Sequence, residues 1–85
     1  MFIIVWSDDA FEDMSLIVAA YPIRKREFAL ALRQIELQLG ADPLAVGESR
    51  EEDMRVTFAG ELTVFYRVDA EEETVEIGAV RLRRW

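Results

Sequence analysis

Residues 42–68, DPLAVGESREEDMRVTFAGELTVFYRV, hold the change of period that most limits how this chain can fold. Upstream of them apolar residues recur every three or four positions; from Met54 onward they recur at every second. A period of 3.6 belongs to a helix and a period of two to a strand. The chain therefore divides into a helical part and a sheet part, separated by a loop carrying Pro43, Gly47 and Ser49. Each part has one apolar face to bury, so the two must pack on each other as α+β layers.

Before the first helix, residues 2–6 form a continuous apolar run that predicts a strand buried on both faces. Ser7, Asp8 and Asp9 are N-cap candidates, and Glu12 and Asp13 place further carboxylates near the positive end of the helix dipole. Four acids at a helix start suit a cap better than a metal site, and no metal is expected. Phe11, Met14, Val18 and Tyr21 mark one face of a helix ending near Ala20. Pro22 fits the first turn of a second helix, whose stripe is Phe28, Ala31, Leu32, Ile35 and Leu39, widened by Leu30 and Leu37. Gly40 is expected at its C-terminal cap, and Pro43 stops it. The pair makes an antiparallel helical hairpin.

The strands follow as a meander. Met54, Val56 and Phe58 alternate with Arg55, Thr57 and Ala59; after a turn at Ala59-Gly60, Leu62, Val64, Tyr66 and Val68 alternate with Thr63, Phe65 and Arg67. Val75 and Ile77 are out of phase with Val80 and Leu82, and Gly78 between them predicts a bulge that resets the register. The apolar set Val56, Phe58, Leu62, Val64, Tyr66 and Val68 is expected against the helices. The opposite face would then carry Arg55, Thr57, Thr63, Arg67, Arg81 and Arg83.

At 85 residues the chain makes one domain spanning 1–85, and a 52% apolar composition suffices for one core. No stretch approaches the roughly 20 apolar residues of a membrane span. MFIIVW lacks a basic start and runs into Asp8 and Asp9, so a cytoplasmic protein without a membrane partner is expected. With no cysteine and no histidine, disulfides, thiolate nucleophiles, the usual zinc sites and a histidine base are excluded. No glycine-rich phosphate loop is present and no cofactor is expected.

The net charge of −7 disfavours a nucleic-acid grip over the whole surface, yet six of the nine arginines lie on or beside the strands. Guanidinium groups sharing a sheet face suit phosphate; they equally suit pairing with the chain's many carboxylates. Arg50 has two readings as well: reaching a phosphate or partner, or pinning its loop through Glu48 or a backbone carbonyl. Tyr66 shares the parity of Leu62 and Val64, which makes it a buried tyrosine. Arg24-Lys25-Arg26 reads as a solvated patch or a binding spot, and Trp85 as a core residue or a partner contact.

The element order β-α-α-β-β-β, the loop with Pro43, Gly47 and Arg50, and the strand Thr63-Val64-Phe65-Tyr66 together resemble the RelE/ParE toxin superfamily of type II toxin–antitoxin modules. The resemblance covers nearly the whole chain. It implies a two-layer α+β sandwich, a helical hairpin packed on an antiparallel sheet, and a cognate antitoxin whose extended segment wraps helices and sheet. If the chain is similar to the RelE type, it is a metal-independent mRNA endoribonuclease acting in the ribosome. Arg55, Arg67 and Arg81 or Arg83 would then stabilise phosphate, with Arg50, Thr57 and Thr63 contacting RNA or a partner. Thr63 stands where the family usually has arginine, and the RelE type's C-terminal helix and tyrosine have no counterpart here. If it is similar to the ParE type, it inhibits DNA gyrase by binding. A catalytically silent interaction domain on the same fold is the remaining alternative.

Overall fold

The computed structural model describes residues 1–51 and 53–83, the side chain of Glu51 excepted. Arg84, one of the six arginines counted on or beside the strands, and Trp85, which the sequence offered as a core residue or a partner contact, lie outside the described residues. The order is β1 (Ile3–Trp6), α1 (Asp8–Ala20), a 3-10 turn (Pro22–Arg24), α2 (Lys25–Ala41), β2 (Glu48–Glu51), β3 (Met54–Ala59), β4 (Leu62–Asp69) and β5 (Thr74–Leu82). The strands form one sheet in the order β1-β5-β4-β3-β2. The sheet is mixed: β1 runs parallel to β5 and every other pair is antiparallel. A parallel neighbour needs a crossover, which begins with the two helices.

Ser7 caps α1 as expected, its Oγ accepting the Ala10 N–H at 3.0 Å. Both helices cover one face of the sheet. The core joins Ala10, Phe28, Ile35 and Leu39 to Leu62, Val64, Tyr66, Val75, Ile77 and Val80. The bulge falls where the phase break placed it. Phe65 pairs with Ala79 and Tyr66 with Ile77, so Gly78 is the extra residue. Val75, Ile77 and Val80 can therefore all face the helices.

Several expectations are corrected. Part of the supposed loop, Glu48–Glu51, is a fifth strand on β3; its polar sequence ESRE carries no alternation because it lies at the sheet edge. β1 is the opposite edge, and Ile3 and Val5 are exposed because no layer covers their face. An apolar run alone does not say whether both faces are covered. Phe11, Leu30 and Leu37 are also exposed, turned away from the sheet. Gly40 is not a cap: α2 continues to Ala41, and the Gly40 carbonyl accepts the Phe2 N–H at 2.8 Å.

The largest correction concerns the faces of β3. Ala59 closes the hairpin opposite Leu62, with Gly60 at a φ of 59° in the turn. Directly opposed residues share a face, so Thr57 goes with Val64 and Arg55 with Tyr66, toward the helices. Phe58, opposite Thr63, is on the uncovered face and 47% exposed. A two-residue loop sets this parity, and the apolar alternation of β3 points the other way.

Candidate functional site

Of the expected basic face, Arg67, Arg81, Arg83 and Thr63 belong to the uncovered side of the sheet or its rim; Arg55 and Thr57 do not. Arg55 turns inward and organises the segment before β2. Its Nη2 donates to the carbonyls of Leu44 (3.0 Å), Val46 (3.4 Å) and Gly47 (3.3 Å), and its Nε to the Tyr66 hydroxyl (3.3 Å). The buried Tyr66 phenol is 2.8 Å from the Pro43 carbonyl and close to that of Val46, and it can donate to one of them at a time. Gly47 completes the clasp. At a φ of 75°, a Cβ there would fall 2.5 Å from the Val56 carbonyl and 2.9 Å from the Tyr66 hydroxyl. Thr57 is buried beneath the same segment.

On the uncovered face each arginine is engaged. Arg67 meets Asp53 at 3.3 Å. Arg81 is opposite Thr63 in the register, but its guanidinium turns to Asp13 of α1 at 2.5 Å. Arg83 donates to the Gly60 carbonyl at 3.2 Å and stacks over Phe58, 4.6 Å from the ring centre. Arg50 is exposed at a bulge in β2 and has no hydrogen-bonding or ionic partner among the described residues, so its pinning role is not seen. The chain has no histidine, and its single lysine, Lys25, is on α2. A guanidinium can hold a phosphate but does not exchange a proton near neutral pH. The guanidinium groups of this face can thus bind an anion.

Asp13 does more than sit near the helix dipole. Its carboxylate accepts the Val80 N–H at 2.9 Å as well as the Arg81 guanidinium. In the Arg24-Lys25-Arg26 run, Arg24 is a structural tie. It bonds Glu27 at 2.7 Å and Glu61 in the β3–β4 turn at 2.8 Å, and lies over the Phe28 ring. The Arg24 hydrogen bond holds the Glu27 carboxyl below its ordinary range, and the bonds to Glu27 and Glu61 push the Arg24 guanidinium up.

The outer side of the helical hairpin carries a further feature. A groove of about 980 Å³ opens between α1 and α2 over Trp6, Phe11, Met14, Val18, Phe28 and Leu32. Lys25 and Arg33 border it, as does Glu36, which accepts the Trp6 indole N–H at 2.9 Å. Phe11 is 68% exposed there. The spacing of Phe11, Met14 and Val18 along α1 was the available signal.

The sequence matches the family model for the ParE toxin of the type II toxin–antitoxin system parDE over residues 4–84. The chain belongs to the ParE toxin family. Among solved structures it is similar to a chain of the RelBE2 toxin–antitoxin complex from Mycobacterium tuberculosis, with 24% identity and a TM-score of 0.77 over 96% of this chain and 91% of the other. It is also similar to a chain of the chromosomal ParDE system from P. aeruginosa, with 18% identity and a TM-score of 0.68 over 96% of both chains. At these identities the likeness is one of fold. No curated protein matches the sequence. The expected RelE/ParE-like α+β architecture is thereby established, with a fifth strand added to it.

Proposed function

We propose that this ParE-family chain is a toxin that acts by binding a macromolecular target, with DNA gyrase the favoured one, and does not cleave RNA. The observation that carries this reading is the division of the arginines. Arg55 is consumed by the clasp with Tyr66, Arg67 and Arg81 are in ion pairs, and a guanidinium exchanges no proton near neutral pH. A net charge of −7 adds a general repulsion toward RNA. The exposed Arg50 remains available to a protein target, and Thr63 and Phe58 lie on the same open face as Arg83.

A cognate antitoxin is the expected second partner. The relatives of this fold come from toxin–antitoxin systems. The α1–α2 groove is an exposed apolar surface of the kind that receives an amphipathic helix, and Lys25 and Arg33 on its border favour a helix with flanking acids.

The test is induction of the chain alone in a bacterial host, with translation and plasmid supercoiling followed together, and purified gyrase assayed with the purified protein. Growth arrest with altered supercoiling and intact mRNA is expected. Collapse of translation with mRNA cleavage inside ribosomes would overturn the binding mechanism. Unimpaired growth with folded protein would move the assignment to a silent interaction domain.

A further inference from the structure

Phe28 and Ile35 of α2 are buried, and two positions beyond each stands an exposed leucine, Leu30 at 64% and Leu37 at 66%. Two positions are about 200° of turn, so these leucines lie on the side of the helix away from the core. They are seven residues apart, close to two full turns, and so share one line along the helix. The same step continues at both ends. Ile23, 97% exposed, is in the 3-10 turn before α2, and Leu44, 55% exposed, is in the turn after it. None of the four side chains joins the core or lines the groove between the helices.

The charges of α2 are the second observation. Lys25 and Arg26 open the helix beside Glu27, Asp42 stands at its C-cap, and its last turn holds no cation. The helix dipole favours the opposite order, with cations at the end and carboxylates at the start. Arg24 of the same basic run is tied to Glu27 and Glu61, but no ion pair holds Arg26 or Asp42 among the described residues.

One arrangement answers both observations. We infer that the outer side of α2 is the interface of a homodimer, in which two copies of the helix pack antiparallel about a two-fold axis near residues 33 and 34. The positions 23, 30, 37 and 44 are symmetric about that point. Leu30 therefore faces Leu37 of the second copy, and Ile23 comes to its Leu44, each contact being made twice. Arg26 then lies beside Ala41 and Asp42 of the second copy, where the last carbonyls of that helix gather negative charge. The 17 residues of α2 give a seam about 25 Å long at ~1.5 Å per residue. The two Arg33 side chains come near the axis and each chain carries a net charge of −7, so the dimer exchanges with monomer. The helices and the open face of the sheet are on opposite sides of the molecule, which leaves two open faces pointing outward from the pair.

Sedimentation equilibrium over a concentration series reads the assembly. The mass is expected to rise from 9.8 kDa toward twice that value. Leu37→Glu, at an exposed position, should weaken the dimer at least ~30-fold and leave the melting temperature of the monomer unchanged. Arg26→Asp and Asp42→Arg should each weaken it at least ~3-fold, and the two together should restore it. Within one chain these residues are 16 positions apart, about 24 Å along the helix, so such a rescue can only be made between copies. A chain that stays monomeric at every concentration overturns the dimer, and loss of antitoxin binding in Leu37→Glu would then give the stripe to the antitoxin. A dimer that survives Leu37→Glu overturns this surface, and a double reversal no better than the single ones overturns the antiparallel arrangement.

Discussion

Arg55 shows how one side chain decides between two accounts of the molecule. On the outer face it would be a phosphate ligand; on the inner face its guanidinium satisfies three carbonyls that the turn after α2 leaves without strand partners. Arg55→Ala is expected to cost about 2–3 kcal/mol, since hydrogen bonds from a charged group are lost and half-buried acceptors are left unpaired. Arg67→Ala, which removes an exposed pair with Asp53, should cost under about 1 kcal/mol. Urea unfolding of the two variants side by side checks the contrast, and equal costs would return Arg55 to the surface. Glu27 supplies a pH test. Its folded carboxyl lies below the ordinary value of 4.5, chiefly through the Arg24 hydrogen bond. A depressed folded value means the interaction is fully present above the ordinary range and lost as pH falls through the folded one. Carboxyl NMR titration should therefore show Glu27 protonating late on acidification, and Arg24→Ala should move it back up.

At the scale of elements, β5 carries its own register device. Two residues, Gly78 and Ala79, occupy the space opposite Phe65, which lets Val75, Ile77 and Val80 face the helices despite their numbering. Deleting Gly78 keeps that phase. Deleting Ala79 as well turns Val80 and Leu82 outward, at about 1.5–3 kcal/mol for each side chain, a large share of a small domain's stability. Thermal melts followed by circular dichroism should show cooperative unfolding for the single deletion and none for the double deletion; the reverse order would deny the bulge its role. The phase break was legible in the sequence because four apolar residues flank a single glycine. The faces of β3 were not, because Met54, Val56 and Phe58 are apolar on the side away from the helices, where Val56 is still buried, while Arg55 and Thr57 are polar on the side toward them. There the tightness of the Gly60 turn outweighs the alternation.

For the molecule as a whole, the groove between the helices is where toxicity and its control can be separated. Phe11→Asp places a charge in the groove without touching the sheet. It is expected to leave growth arrest intact while weakening neutralisation by the antitoxin at least ~10-fold, read as the antitoxin dose that restores growth. Loss of arrest together with neutralisation would instead place the target on the same surface.

What the sequence by itself determined follows from periodicity and from residue types that leave few choices: two helices, a meander, the Ser7 cap, the Gly78 bulge, and a chemistry without cysteine or histidine. These are local properties, set by neighbours a few positions apart. Which face each strand turns inward, where β1 and β2 lie at the edges of the sheet, and which arginines are spent on structure depended on partners distant in the chain. Arg55 meets the carbonyls of residues 44–47 and the hydroxyl of Tyr66, and Asp13 meets Val80. Only the tertiary structure decided those, because hydrogen-bond satisfaction of buried groups is settled by whatever the fold brings alongside, and no period along the chain records it.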